Sequence, residues 1–315
     1  MLGVMSETEN LVRFHDRQLT AWPQARERYE ALTHVRVREI SLGGFTVRIQ
    51  FNPGRAVSTG ARTDSASIAA RPCFLCAANR PEEQLIFDVY PGIDTLVNPF
   101  PIFRRHFTLA AKGHLHQDTV DFMEMARIAA TLPDMVTFYN GSQAGASAPD
   151  HLHIQAGEKD FLPLCAYLEA DPGELMKSDG SFSAYSPDGL PVSAVHFTSR
   201  QLTPEMSLWL DTLLPCDKFG MPQRGMRNVL MWPDADGCLH TLFLPRAAHR
   251  PACYFRPEEE GRLMVSPGAV DMAGVLILPR EADFENISRT DIRQIYDEVS
   301  FPYKESPQFQ RLLLL

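Results

Sequence analysis

The sequence predicts an α+β protein made of two related halves, each an antiparallel sheet with helices packed on one side. Three observations carry this. Short strand-like segments alternate with capped helical ones along the whole chain. The chain has 315 residues, which at roughly 150 residues per domain makes about two domains or one duplicated fold. Finally, Phe107-Thr-Leu-Ala-Ala-Lys-Gly-His114 lines up with Leu242-Phe-Leu-Pro-Arg-Ala-Ala-His249, each followed at a distance by a small-residue loop and a strand. That is the signature of a diverged duplication. The halves so read are residues 1–165 and 190–315.

The elements follow in order. Ser6–Leu32, polar with spaced Leu11, Phe14 and Leu19, reads as helix interrupted near Pro23. Val35–Leu42 and Phe45–Phe51 flank Gly43-Gly44, and Phe45, Val47, Ile49 and Phe51 alternate with polar residues, which makes a hairpin. A Gly/Ser/Ala-rich loop (Asn52–Arg71) runs into Cys73-Phe-Leu-Cys76. Leu85–Val89, Thr95–Val97 and Phe107–Ala111 read as short strands. Asp118 is placed to cap a helix whose apolar face is Phe122, Met125, Ala129 and Leu132. A small-residue loop, Asn140–Pro149, leads to a strand at His151–Gln155. Pro/Gly punctuation between Leu162 and Pro191 marks a junction. Beyond it come a strand at Ala194–Thr198 and a helix capped by Thr203 with Pro204 in its first turn, burying Met206, Trp209, Leu210 and Leu213. Strands follow at Asn228–Trp232, Leu239–Leu244 and Gly274–Leu278, the last within Val270–Leu278, which reads as the second copy of the His151–Gln155 strand. A helix capped by Ser288 with Asp291 buries Ile292, Ile295, Tyr296 and Val299.

Composition narrows the function classes. Hydrophobic residues make up 44% and charged residues 22%, an ordinary globular balance. The formal net charge of −9 argues against nucleic acid as a partner, because phosphate-backbone binding needs a dense basic surface. A small phosphorylated ligand in a locally basic pocket stays open. No apolar run approaches the roughly 20 residues that span a bilayer, and Met1–Asn10 does not read as a signal peptide. A cytoplasmic protein is the expectation, its six cysteines free thiols rather than a disulfide framework.

Chemistry concentrates in Gly145-Ala-Ser-Ala-Pro-Asp-His151-Leu-His153-Ile-Gln155. Alternation on a strand sends His151, His153 and Gln155 one way and Leu152 and Ile154 the other, into a core. Two imidazoles and an amide behind a loop of free backbone N–H groups suit a phosphate. The plain alternative is a pair of surface histidines on an edge strand. Cys73 and Cys76 need two more donors to close a tetrahedral zinc site, and His114 and His151 are the candidates. A redox dithiol and two ordinary buried cysteines are the competing readings.

In sequence these residues resemble a known family. Cys-Phe-Leu-Cys (73–76), Leu-Val-Asn-Pro-Phe-Pro (96–101), His114, Asn140, Gly-Ala-Ser (145–147) and His-Leu-His-Ile-Gln (151–155) follow one another as in the transferase branch of the histidine-triad superfamily. That branch contains galactose-1-phosphate uridylyltransferase, diadenosine tetraphosphate phosphorylase and the GDP-hexose phosphorylases. The resemblance implies two HIT-like halves, the first catalytic and the second degenerate. It implies a nucleotidyltransferase or phosphorylase acting on a nucleotide sugar or dinucleoside polyphosphate, with phosphate or a sugar phosphate as acceptor. His153 would form the nucleotidyl-histidine intermediate, while Ser147 and Gln155 hold phosphate oxygens. Arg55 would lie on the phosphates, and Asn98 and Phe100 along base and ribose, with Asn140, Gly145 and Ala146 completing the substrate site. Cys73, Cys76, His114 and His151 would hold a structural zinc. Asp150, which stands where the uridylyltransferases have Pro-His directly, enters as a further ligand or an outer partner. The uridylyltransferases of the family are homodimers, and the sequence carries no interface signal of its own.

Gln155 discriminates among outcomes. An amide cannot act as general base, so water, which needs deprotonation, is a poorer acceptor here than a phosphate that arrives anionic. Remaining basic and histidine residues carry less weight. His106 and His116 are alternatives to His114, otherwise surface histidines; Arg104, Arg105 and Lys112 are charges near a phosphate or solvated. His249 and Arg250 are a relic or a contact with substrate.

Overall fold

The computed structural model describes residues 6–218, 220–307 and 309; Met1–Met5, part of the segment read above for a signal peptide, lies outside them. Ser6 closes a capping box with Glu9 at the start of α1 (Glu7–Ala21), and Pro23 in the first turn of α2 (Pro23–Ala31) divides the helical run where expected. β1 (Arg36–Ser41) and β2 (Thr46–Phe51) pair in register from Arg36↔Phe51 to Ser41↔Thr46. The Gly-rich loop holds α3 (Ala56–Thr59) and α4 (Ser65–Ala69). Then come β3 (Ile93–Val97), β4 (His106–Ala111), α5 (Phe122–Ala130), β5 (Met135–Asn140) and β6 (His153–Glu158). The stretch read as a junction is structured, with α6 (Pro163–Ala170), β7 (Glu174–Ser178) and β8 (Phe182–Ser186). β9 (Val195–Ser199), α7 (Pro204–Thr212), β10 (Arg227–Pro233) and β11 (Leu239–Pro245) follow, then α8 (Ala269–Met272), β12 (Val275–Leu278), α9 (Glu281–Asn286) and α10 (Arg289–Val299).

Nine strands form one sheet in the order β3-β4-β6-β5-β10-β11-β9-β8-β7. Chain segment β3-β4-α5-β5-β6 lays its strands as β3-β4-β6-β5, and β8-β9-α7-β10-β11 lays its strands as β8-β9-β11-β10. One arrangement therefore occurs twice, and the antiparallel β5–β10 pair fuses both units into a single sheet. This order corrects the sequence match: β4 and β11, which carry Phe107–His114 and Leu242–His249, occupy different places in their units, and β9 is the counterpart of β4. Likewise Val270–Leu278 is no strand of the second unit. It splits into α8 and β12, and β12 pairs in parallel with β2 in a separate sheet, β1-β2-β12.

Each face of the large sheet has its own core. Leu11 and Phe14 of α1, Met125 and Ile128 of α5, and Met206 and Trp209 of α7 pack with Phe107, Ile154, Tyr139, Met231 and Phe243. These are the helices expected on one side, and Trp209 is core as read. The opposite face is covered as well: Phe138, Leu230, Trp232 and Leu242 pack against Val47 and Ile49 of β2, β12, α6 and α10. Burying aromatic and aliphatic side chains of this size stabilises by roughly 1.5–3 kcal/mol each, so the small sheet is held down firmly, and the rim between it and the large sheet becomes a cleft. Two local expectations shift. Leu85–Val89 contributes a single bridge, Phe87↔Thr95, rather than a strand. Asp121, not Asp118, caps α5; Asp118 instead accepts from Tyr139 and Ser142.

Candidate active site

Alternation fails at the point that matters most. β6 starts at His153, and His151 lies in a turn before it, with its N–H on the Ala148 carbonyl. The two histidines therefore serve different places, and Leu152 is only half-buried while Ile154 joins the core. His151 is fully buried and turns toward the cysteines: its Nδ1 lies 3.3 Å from Cys73 Sγ and 3.5 Å from Cys76 Sγ, and His114 Nδ1 lies 3.2 Å from Cys76 Sγ. Tetrahedral ligands at about 2.3 Å (S) and 2.0 Å (N) from zinc stand about 3.5 Å apart. The spacing thus fits a metal, and all four donor atoms lie within 4.8 Å of one another. His151 Nε2–H donates to the Ala111 carbonyl at 2.8 Å, which leaves the Nδ1 lone pair facing the sulfurs, as an outer hydrogen bond on a ligating histidine should. Asp150 is outside the set, 3.7 Å from His114 Nε2 and 3.4 Å from Arg71, an outer partner rather than a ligand. A smaller group, Asp234, Cys238 and His240, lies at the β10–β11 turn, away from the cavity described next.

His153 faces a cavity of about 940 Å³ at the rim between the sheets. Its Nδ1–H donates to the His151 carbonyl at 2.8 Å, so Nε2 carries the lone pair, and among the described residues Nε2 has no partner. Burial pushes the ring down to about 4, and it is neutral at pH 7, the form a nucleophile requires. Gln155 lies two residues on along the same face and is paired across the sheet with Phe138 and Thr108. Its Oε1 is taken by His106 Nε2 at 2.9 Å and, at 3.4 Å, by Asn98 Nδ2. His106 Nδ1 accepts from the Ile102 N–H and burial holds the ring near 3, so its one proton sits on Nε2 and points at Gln155. The amide is thereby oriented with Oε1 inward and its two N–H donors left for a ligand. His106 is neither a surface histidine nor a metal candidate; it is fully buried between Phe103 and Phe138.

The loop between β5 and β6 is pinned at its start and open in its middle. Gly141 N–H and Gln143 N–H donate to the Arg227 and Gly225 carbonyls, and Asn228 Nδ2 donates to the Ala144 carbonyl. The N–H groups of Gly145 and Ser147 donate to nothing among the described residues and line the cavity with Ala146. Asn140 Oδ1 accepts from Asn228 Nδ2 and Ala269 N–H. Asn98 is largely committed too, to Thr108 and the Phe100 N–H. Phe100 keeps a ring in the cavity, with the Arg28 guanidinium 4.3 Å above it. Arg55 donates to the Phe100 carbonyl and feels the charge of Asp271, but among the described residues it forms no direct ion pair.

Every substrate and catalytic residue expected from the sequence lines this one cavity: Arg55, Asn98, Phe100, Asn140, Gly145, Ala146, Ser147, His153 and Gln155. Its lining holds five arginines (Arg28, Arg55, Arg62, Arg71, Arg250) against two carboxylates, Glu83 and Asp271, a basic pocket in an acidic protein. His249, Arg250 and Ser266 of the second unit close the far wall, Arg250 Nε donating to Ser266 Oγ at 2.9 Å; the contact reading of His249 and Arg250 is the one the geometry supports. Arg104, Arg105 and Lys112 pair with Asp160, Glu158 and Asp88 outside the cavity. His116 is exposed and accepts from the Asp118 N–H. Arg71 and Phe74, which stack 4.9 Å apart at the cavity edge, were not anticipated, although their position beside Cys73 was the available signal.

In fold the chain is similar to solved structures of a yeast Ap4A phosphorylase. Residues 14–158 match a family model described as a domain of unknown function, DUF4922. Among solved structures, yeast Ap4A phosphorylase Apa2 in complex with Ap4A aligns with a TM-score of 0.61 and 17% identity, covering 95% of this chain and 99% of that one. The same yeast enzyme described without ligand aligns at 0.59 and 16% identity, covering 90% and 94%. A uridylyltransferase mutant reaches a TM-score of only 0.36 at 12% identity, too low to argue from. No curated protein matches the chain by sequence.

Proposed function

We propose that the protein is a nucleotidyltransferase of the phosphorylase type, acting on a dinucleoside polyphosphate or a nucleotide sugar with inorganic phosphate as acceptor. The single observation that carries this is His153: a neutral imidazole, tautomer fixed, with its free Nε2 in a basic cavity beside unpartnered loop N–H groups. Nε2 attacks the α-phosphorus; the P–N bond forms as the P–O bond to the leaving phosphate breaks, and the leaving group departs as an anion. Nδ1–H, held on the His151 carbonyl, supports the positive charge that develops on the ring. Gln155 Nε2, Ser147 and the loop N–H groups neutralise the equatorial oxygens, as phosphoryl-type transfer demands. A phosphate oxygen then attacks the same phosphorus and returns the electron pair to Nε2. Gln155, an amide, cannot deprotonate water, which favours transfer over hydrolysis. A bound zinc would crosslink Cys73, Cys76, His114 and His151 and so stiffen the turn that supplies the carbonyl beneath His153.

The cavity volume is at the upper end of the range of roughly 300–1,000 Å³ for small-ligand sites, which suits a ligand longer than one nucleotide. The structural neighbour bound to Ap4A supports the dinucleoside reading over a hexose-1-phosphate uridylyltransferase. The test is intact-mass measurement at neutral pH after incubation with a panel of dinucleoside polyphosphates and nucleotide sugars. A covalent nucleotide should appear on the wild type and not on His153→Ala, and phosphate should discharge it far faster than water. An adduct on the His153→Ala protein, or discharge at equal rates without phosphate, overturns the assignment.

A further inference from the structure

Gln117 does not line the cavity, yet its side chain spends every hydrogen-bonding group on the backbones of His153 and of Asn140 across from it. It is fully buried. Nε2 donates to the Asn140 carbonyl at 2.7 Å and to the His153 carbonyl at 2.9 Å, while Oε1 accepts from the His153 N–H at 2.9 Å. Two donors facing carbonyls and one acceptor facing an N–H fix the amide in one orientation. The β5–β6 ladder runs from Met135↔Glu158 to Phe138↔Gln155 and stops. Continued in register it would pair Asn140 with His153, and at that point the Gln117 amide takes up the groups the strands would offer each other. Its own backbone is tied as well: N–H to the Pro149 carbonyl, and C=O to the Tyr139 hydroxyl at 3.1 Å.

We propose that Gln117 is a positioning residue for His153, a wedge that parts β5 from β6 and aims the imidazole. This rests on the transfer reading above for its consequence, though not for its geometry. Both the ring and the carbonyl that fixes its tautomer belong to residues 151–153, and Gln117 binds the N–H and the C=O of the last of them. Without the wedge the strands can zip one pair further, the turn at 148–151 is redrawn, and the His151 carbonyl leaves Nδ1. The ring then loses both its aim and its single tautomer.

The decisive measurements use the full-length, metal-loaded protein. Gln117→Met keeps volume and removes all three bonds; Tyr139→Phe removes the hydroxyl shared between the Gln117 carbonyl and Asp118, and is the gentler variant should the first fail to fold. With ¹⁵N-histidine labelling, His153 in the wild type should report one tautomer, protonated at Nδ1, and Gln117→Met should report a mixture. Adduct formation should slow about 100-fold in Gln117→Met, the scale of a misplacement near 1 Å, and about 3- to 10-fold in Tyr139→Phe, the scale of one neutral hydrogen bond. Nucleotide affinity should change far less than the transfer rate. A folded Gln117→Met protein with the wild-type His153 spectrum overturns the proposal, as does a wild-type transfer rate in both variants. A wild type that forms no adduct sinks the transfer reading instead, and the spectrum still decides the wedge.

Discussion

Gly145 offers a measurable separation of two physical costs at the phosphate loop. Its φ is +100°, and an added Cβ would stand 2.8 Å from Gly268 Cα and 3.2 Å from the Pro267 carbonyl oxygen. Gly43, at the β1–β2 turn, has nearly the same backbone, φ +109°, but nothing within 4 Å of its Cβ. Gly43→Ala therefore meets backbone strain alone, about 1–3 kcal/mol. Gly145→Ala meets that strain plus an overlap with backbone that cannot rotate aside, a further 1–3 kcal/mol or so. The loss of unfolded-chain entropy on replacing glycine favours both variants and cancels in the difference. Guanidinium unfolding should place Gly145→Ala roughly 2 kcal/mol below Gly43→Ala, with unchanged m-values. Nucleotide binding should weaken only in Gly145→Ala, whose loop N–H groups must move away from the second unit. Equal destabilisation of the two variants would refute the claim that the loop is seated against Pro267 and Gly268.

Two further expectations concern protons and metal. Burial holds His106 and His196 down near 3 and His249 near 4, from an ordinary value of 6.5. The unfolded chain therefore binds more protons than the folded one below pH 6.5, so stability falls as pH drops from 6.5 toward those values. The urea midpoint should begin to decline near pH 6.5, although buried Asp271, pushed up to about 6, takes its proton first in the folded state and offsets part of the fall; a flat midpoint down to pH 5 contradicts the assignment. For the metal, Cys73→Ser should abolish the one equivalent of zinc per chain that a chromogenic chelator titrates from the wild type, and should lower Tm. Unchanged zinc content in that variant would remove Cys73 from the site.

Legibility tracked how local the signal was. The hairpin at Gly43-Gly44, the caps at Thr203 and Ser288, and the Cys73–Cys76 pair are set by neighbours in sequence, and they stand where read. The shared cavity for Arg55, Asn98 and Gln155 was legible because motif order carries long-range information that periodicity lacks. Alternation misled at His151, since a period-two rule presumes a strand and this residue lies in a turn. The sequence match misled as well: β4 and β11 share letters because both are buried strands, while sheet order places β9, not β11, where β4 stands. His106 and Gln117 had no signal at all: a buried polar residue acts through partners distant in the chain, and only coordinates bring those partners together.

That distinction also settles what the second unit contributes. Its β11 has no counterpart of the His153 motif, yet it is followed directly by Arg246, fully buried, whose guanidinium makes five hydrogen bonds. One goes to Asn228 Oδ1 at 2.6 Å, and Asn228 Nδ2 in turn holds Asn140 Oδ1 and the Ala144 carbonyl. Others hold the carbonyls of Ala248, His249 and Pro267, which carry the far wall of the cavity and the backbone against which Gly145 sits. Burial lowers this guanidinium only to about 10, so it stays charged at neutral pH and every one of those carbonyls faces a cation. The buried charge thus sits among neutral acceptors next to where the second unit meets the β5–β6 loop. Such a charge costs several kcal/mol to desolvate unless its bonds are fully made, and here they are made to both walls of a single cavity. On the transfer reading proposed above, the second unit is the rigid wall of the cavity and the first carries the residues that would react.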